Sequence, residues 1–320
     1  MRRSAKGFVP AFLLRRVSLH LVVVVFCLLV GAPASAQVAR VFLAGTGNDA
    51  GDCTNQATPC RSLQGAVTAC PVNGEIIILD NGGYGGATIT KSLTVNASAG
   101  IVAFIARTII VNIASTEKVV LRGLSMNGVV FGDADGIHFN GGGTLVVENS
   151  VIAGFVNNGI LQLAAGSNLI VNNCEFRNND TGVINSNTSN TNSNSVIESS
   201  RFEYNTSRGV VGSFGTATIS VRNSVFANSS KGVSAFCASQ TQPVLIVVDT
   251  CTIAHNDFGT HAETTGTGSA TIRVTNSTIY HNVNGMFIFG VGAAIESYGN
   301  NRVLANTNNS TFSGTVLPLQ

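Results

Sequence analysis

The chain has 320 residues, of which 44% are hydrophobic and 11% are charged, and it contains 35 Gly, 6 Pro and no Trp. This balance excludes a chain that is disordered through low hydrophobicity and high charge. Five of the 18 basic residues and none of the 16 acidic residues lie in the first 36 positions, so the remainder carries 13 basic against 16 acidic groups. We therefore expect no nucleic-acid partner and no attraction to an anionic membrane surface.

The first 36 residues have the three parts of an export signal. Five basic residues precede an uncharged, mainly apolar run over 17–30, and Ala34 and Ala36 frame a small-residue cleavage site. The alternative is a retained membrane anchor, but the run is shorter than the roughly 20 residues that a spanning helix needs. We predict cleavage after Ala36, no membrane span in the mature chain, and a secreted or periplasmic protein.

Residues 37–74 are predicted to form a cap. Apolar residues at helical spacing over 59–70 predict a short α-helix, and Pro59 suits its N-terminus. Cys53 and Cys60 bracket a short polar loop and could close it as a disulfide in an oxidising compartment, with Cys70 as a competing partner for either. Such a cap would cover the open edge of the structure that follows.

A repeated unit begins at about residue 117, after two strand-like segments at 75–80 and 87–95. Its period is 24 to 27 residues, as shown by a mostly small position occupied in turn by Leu124, Ser150, Cys174, Ser200, Ser224, Cys251 and Ser277. Apolar residues alternate within each unit, which is typical of a strand. Because one unit cannot bury its own apolar face, the units must stack. The pattern predicts an all-β, single-domain parallel β-helix over 75–310 and a tail over 311–320.

Three further positions of the repeat predict interior features. An apolar stack is formed by Met126, Ile152, Phe176, Phe202, Phe226, Ile253 and Ile279. An amide ladder is predicted at Asn179, Asn205, Asn256 and Asn282. A recurring glycine is predicted to mark a turn whose backbone angles favour glycine: Gly136, Gly159, Gly182, Gly209, Gly232, Gly259 and Gly285.

The chain resembles exported bacterial members of the pectin-lyase-like superfamily over residues 40–310. Besides the repeat, the resemblance is carried by the segments 40–49, 59–64 and 85–92. It implies a right-handed parallel β-helix with an N-terminal cap. It also implies a polysaccharide or cell-surface glycan as ligand or substrate, because the superfamily includes pectate lyases, polygalacturonases and alginate epimerases as well as members without assigned activity.

The segment 133–138 is the best local candidate for catalysis. It is similar to the Asn-Thr-Asp-Gly segment of polygalacturonases, which implies a catalytic role for Asp135, with Asp133 and His138 as weaker candidates. The second paired-Asp motif of that family, its Gly-His-Gly and its Arg-Ile-Lys are missing. We therefore expect a non-catalytic protein rather than a polysaccharide lyase, hydrolase or epimerase, which is the alternative.

No cofactor is predicted. Asp49 and Asp52, in a Gly-rich loop, could hold Ca²⁺ weakly. His255 and His281 share one register of the repeat, but no acid or cysteine completes a metal-ligand set there.

The position two residues after the recurring glycine is predicted to point outward. It is largely apolar and consists of His138, Leu161, Ile184, Val211, Ser234, His261 and Phe287. We predict that Leu161, Ile184 and Val211 form a contiguous exposed strip and, with His261, a binding groove. The predicted function is that of an exported scaffold that binds a carbohydrate or a surface; the pattern does not specify an oligomeric state.

Overall fold

A computed structural model describes residues 39–238 and 241–318. The predicted export signal, with its cleavage site after Ala36, lies outside the described residues. Within the described part of the chain, no helix is long and apolar enough to cross a membrane.

Three parallel sheets, which we name A, B and C, form the walls of the molecule, and their strands are numbered in chain order. Sheet A has eleven strands: β1 (Arg40–Leu43), β2 (Gly74–Ile78), β5 (Leu93–Ala97), β8 (Lys118–Arg122), β11 (Thr144–Glu148), β14 (Asn168–Asn172), β17 (Ser193–Glu198), β20 (Ala217–Arg222), β23 (Val244–Asp249), β26 (Ala270–Thr275) and β29 (Ala293–Ser297). Sheet B has ten short strands: β3 (Gly82–Gly83), β6 (Ala103–Ile105), β9 (Leu124–Asn127), β12 (Val151–Ala153), β15 (Glu175–Arg177), β18 (Arg201–Glu203), β21 (Val225–Ala227), β24 (Thr252–Ala254), β27 (Thr278–Tyr280) and β30 (Arg302–Leu304). Sheet C has nine: β4 (Ala87–Ile89), β7 (Ile109–Val111), β10 (Asp135–Phe139), β13 (Asn158–Gln162), β16 (Thr181–Asn185), β19 (Arg208–Ser213), β22 (Lys231–Cys237), β25 (Phe258–Thr264) and β28 (Asn284–Phe289).

Each coil contributes one strand to each sheet, and that strand pairs in parallel with the equivalent strands of the neighbouring coils. Phe176, for example, is in register with Phe202, which is in register with Phe226. The predicted all-β, right-handed parallel β-helix is therefore confirmed. One α-helix, α1 (Leu63–Ala69), and one 3₁₀ turn (Gly128–Val130) complete the regular structure of the described residues.

The interior consists of ladders of like side chains. The rings of Phe176 and Phe202 are parallel with centroids 4.9 Å apart, and those of Phe202 and Phe226 are 4.8 Å apart. These distances match the inter-strand spacing of about 4.8 Å, so each coil places its ring directly on the next. All three rings are fully buried, which confirms the predicted apolar stack.

The predicted amide ladder is also present and extends one coil further than expected. Asn256 Nδ2 donates to Asn282 Oδ1, and Asn282 Nδ2 donates to Asn306 Oδ1, both at 3.0 Å. Where one coil lacks the amide, Ser229 takes the position and its N–H donates to Asn256 Oδ1 at 3.0 Å. The ladder satisfies buried backbone groups at the turn between sheets B and C.

The recurring glycine has a different cause from the one predicted. None of the seven glycines of that position has a positive φ. A Cβ at Gly159 would instead lie 2.5 Å from the carbonyl oxygen of Gly182 and 2.7 Å from the ring of Phe176. At this position the adjacent coil and the interior side chains approach too closely for a Cβ.

The segment predicted to be a cap contributes a strand to sheet A, because β1 pairs with β2 from Arg40 opposite Glu75 onward. The predicted helix is present as α1, but its N-cap is Ser62, whose Oγ accepts from the N–H of Gly65 at 3.0 Å. The disulfide between Cys53 and Cys60 is confirmed, with the two Cα atoms 5.2 Å apart. Cys70, the competing partner, is a buried free thiol.

We predict that Phe202→Ala lowers the free energy of unfolding by about 3–5 kcal/mol, because it removes a fully buried ring and leaves a cavity between two others. The measurement is denaturant unfolding of the mature chain. Phe289→Ala, which truncates a ring that is 55% exposed, is the control and should change that free energy much less. Equal losses in both variants would contradict the stacking assignment.

Candidate functional site

The outer surface of sheet C, which we name the sheet C face, carries the residues predicted to bind or react. Strand alternation and the parallel register arrange its side chains in rows that run along the solenoid, with successive members about 4.8 Å apart. The central row is Ile110, His138, Leu161, Ile184, Val211, Ser234, His261 and Phe287. The flanking row is Asp135, Asn158, Thr181, Arg208, Lys231, Phe258 and Asn284.

The predicted binding groove is in part buried. Leu161 and Ile184 are partly accessible, whereas Val211 is 1% and His261 is 3% exposed. The expectation of a contiguous exposed strip is therefore wrong at Val211.

One end of the sheet C face pairs Asp135 with His138. Asp135 is 6% exposed, and its Oδ1 accepts from Asn158 Nδ2 at 2.7 Å. Its Oδ2 lies 3.3 Å from His138 Nδ1, and the imidazole is 30% exposed. A proton on Nδ1 that points to the carboxylate leaves Nε2 free to accept one. The arrangement can therefore hold a histidine in one tautomer at the surface.

Asp133 does not join this pair. Its carboxylate accepts from Arg107 Nη1 and from the N–H of Thr108, both at 2.8 Å. Partial burial opposes ionisation, but the hydrogen bonds from Thr108 and Arg107 outweigh it and lower the pKa of Asp133. Asp133 is thus an ion-paired carboxylate that anchors the turn before β10.

The other end of the sheet C face is basic and contains buried polar atoms without partners. Arg208 and Lys231 occupy adjacent strands in one register. Among the described residues, Arg208 Nε, Ser234 Oγ and His261 Nδ1 are buried and have no hydrogen-bond partner. Buried polar atoms in native proteins are nearly always paired, so three such atoms in one place need an explanation.

The charges of this basic end are mutually unfavourable. Burial lowers the pKa of Lys231, and the neighbouring Arg208 lowers it further. Burial, followed by the charges of Lys231 and Arg208, lowers the pKa of His261 to about 4. Glu263 Oε2 lies 3.6 Å from His261 Nε2, and the negative charge of Glu263 acts in the opposite direction on the pKa of Lys231.

Aromatic rings border the basic end. The centroid of the His261 ring lies 5.1 Å from that of Phe287, nearly parallel to it, and 5.4 Å from that of Phe258 in an edge-on arrangement. The site therefore combines hydrogen-bond donors with apolar ring faces, which is the usual composition of a small-molecule site.

Sequence reasoning missed Arg208, Lys231 and Ser234. The sequence criterion for a saccharide-active site is a pair of carboxylates, and two neighbouring cations in the flanking row do not meet it. The signal was present, since Arg208 and Lys231 each precede a recurring glycine and are consecutive in that row. Their burial, and the lack of partners for Arg208 Nε and Ser234 Oγ among the described residues, could not be derived from the repeat.

The other predicted ligand positions are already engaged within the chain. Asp49 accepts from the N–H groups of Arg61 and Ser62 at 2.7 and 3.0 Å and from Ser62 Oγ at 2.6 Å. Asp52 accepts from the N–H of Thr54 at 3.2 Å. Across 39–238 and 241–318, no group of three or more His, Cys, Asp or Glu residues could hold a metal ion.

Comparison with known proteins agrees with this architecture. The family model described as "Right handed beta helix region" matches residues 75–245 and 135–308. The chain belongs to this right-handed β-helix family. No curated protein sequence matches this β-helix protein.

Two solved structures resemble this β-helix protein in fold. The crystal structure of pectate lyase Pel9A has a TM-score of 0.55 and 14% identity, covering 87% of this chain and 80% of its own. A rhamnogalacturonan lyase has a TM-score of 0.51 and 9% identity, covering 84% of this chain and 86% of its own. At these identities the likeness establishes the fold.

We predict that His261 remains neutral to about pH 4, whereas an unfolded chain protonates it near pH 6.5. Because the folded pKa is the lower one, the stability contributed by this group is lost as pH falls from 6.5 towards 4. Lys231→Gln should raise the pKa of His261, since it removes one of the charges that depress it. Histidine NMR titration, with His261→Gln to assign the signal, measures both effects; titration of His261 near pH 6.5 in the parent protein would contradict the burial of this site.

Proposed function

We propose that this chain is an exported, non-catalytic β-helix protein that binds polysaccharide along the sheet C face. The observation that carries the proposal is the set of buried, unpartnered polar atoms beside aromatic rings on that face. A bound saccharide would complete their hydrogen bonds with its hydroxyl groups and pack the apolar face of its ring on Phe287 and Phe258.

The architecture suits a repeating ligand. The central row places side chains at a constant spacing of about 4.8 Å, so His138 and His261, five strands apart, are separated by about 24 Å. The two lyases that resemble the fold are named for polysaccharide substrates, which supports a glycan as ligand. The Cys53–Cys60 disulfide supports an oxidising compartment and hence export.

The two acids that the sequence offers as catalytic candidates, Asp133 and Asp135, support binding rather than catalysis. Glycoside hydrolysis uses two carboxyl groups placed on either side of the scissile bond. Asp133 is held by Arg107, and Asp135 by Asn158 and His138. Each of the two carboxylates is therefore already engaged by side chains of the chain itself.

One observation favours a second function, a polysaccharide lyase, hydrolase or epimerase. His138, oriented by Asp135, could remove or supply a proton through Nε2. Assay of turnover on a uronate polymer tests this alternative. Turnover by the parent protein that Asp135→Asn abolishes would establish the enzyme and overturn the non-catalytic proposal.

We predict that Ile184→Asp weakens polysaccharide binding at least tenfold, because it places a charge on the partly exposed centre of the sheet C face. The ligand is first identified with a glycan array, and affinities are then measured by calorimetry on the mature chain. Val196→Asp is the matched control, since Val196 is 38% exposed on the outer surface of sheet A. Equal losses in the two variants, or no loss in Ile184→Asp, would contradict the proposed face.

A further inference from the structure

The basic end of the sheet C face differs from most arginine positions of the described residues. Seven arginines of the described part lie within 4 Å of a carboxylate: Arg40, Arg107, Arg122, Arg177, Arg201, Arg222 and Arg273. Arg61, Arg208 and Arg302 have no such carboxylate, but of these three only Arg208 has a buried nitrogen, Nε, without an acceptor among the described residues, while its Nη1 donates to Ser207 Oγ at 3.1 Å. Its neighbour in register is a second cation, Lys231.

This arrangement leaves a local excess of positive charge. Glu263 is an acid whose negative charge acts on Lys231, and its Oε2 lies 3.6 Å from His261 Nε2. One carboxylate therefore faces two cations at a partly buried place where charges are weakly screened. Burial, and after it the positive charge of Arg208, lowers the pKa of Lys231. A bound anion would remove this repulsion and accept from the unpartnered Arg208 Nε.

We propose that Arg208 and Lys231, together with Ser234 and His261, form a subsite that binds an anionic group of a saccharide, either a carboxylate or a sulfate ester. This subsite rests on the proposed function and gives it a specificity. Arg208 and Lys231 select the charge, and the two remaining polar atoms hold neighbouring hydroxyl groups.

The strand register supports the assignment of the anionic group to Arg208 and Lys231 and of the hydroxyl groups to Ser234 and His261. Arg208 and Lys231 are one strand spacing apart, about 4.8 Å, so a single carboxylate or sulfate can reach both. Ser234 lies on the same strand as Lys231, and His261 lies opposite Ser234 on the next strand. A neutral imidazole can donate or accept without adding a third positive charge.

Calorimetry on the mature chain with three oligosaccharides of equal length tests the subsite: a uronate oligomer, a sulfated oligomer and an uncharged oligomer. We expect the parent protein to bind at least one charged oligomer at least tenfold more tightly than the uncharged one. The oligomer that it prefers identifies carboxylate or sulfate as the source of the anion.

Arg208→Gln and Lys231→Gln should each lower the affinity for the charged oligomer at least tenfold more than the affinity for the uncharged one. Ser234→Ala, which removes an unpartnered hydroxyl without a change of charge, should weaken binding of every oligomer.

Arg222→Gln is the control, because it removes the same charge from an exposed ion pair with Glu198 on sheet A. Thermal unfolding midpoints confirm that each variant is folded. Equal affinity for charged and uncharged oligomers, or an equal effect of Arg222→Gln, would overturn the subsite while leaving polysaccharide binding intact.

Binding of none of the three oligomers would instead contradict the proposed function. Inorganic sulfate then decides the subsite by itself, since a ligand that binds the folded state raises the unfolding midpoint. A rise in the parent protein that is lost in Arg208→Gln supports the anion site. The same response in both proteins would overturn it.

Discussion

The in-register stacking of successive coils is the constraint on which the whole molecule depends. Every strand hydrogen-bonds to the equivalent strand of the next coil, so any residue type chosen at one position meets its counterpart about 4.8 Å away. Phenylalanine meets phenylalanine in the interior, and Asn256 meets Asn282 at the turn. The recurring glycine follows from the same closeness, because the neighbouring coil leaves no space for a Cβ at Gly159.

In-register stacking also determines which residues can lie next to each other on the outer surface. Stacking favours like apolar residues and like amides, but it penalises like charges, which cannot stabilise one another across a ladder. On sheet A the rows respect this rule, since Arg122 lies opposite Glu148 and Arg222 opposite Glu198. On sheet C, Arg208 lies opposite Lys231, and polar atoms near them are buried without partners. A departure of this kind from local consistency is expected at functional sites, where a ligand supplies the missing interaction.

The fold could be predicted from the sequence because residues that are one repeat apart stack on each other in adjacent coils. The β-helix and its core could be predicted from a period of 24 to 27 residues and from the alignment of Phe176, Phe202 and Phe226. The accessibility of the outer surface could not be predicted in this way. Val211 and His261 are buried although they lie in the row that the repeat predicts to point outward, and Asp135 contacts His138 within one strand, β10. Periodicity predicts the face on which a residue lies and its neighbour in register. It does not predict how much of the side chain is accessible to solvent.

The most direct test of the account is a crystal structure of the mature chain with a bound anionic oligosaccharide. The account predicts that the saccharide lies along the sheet C face, with its anionic group within hydrogen-bond distance of Arg208 Nε and a hydroxyl group near Ser234 Oγ. Another concave surface is available, the shallow groove on sheet A bordered by Glu198, Arg222 and Tyr298. A saccharide seated in that groove, with the sheet C face empty, would contradict the account.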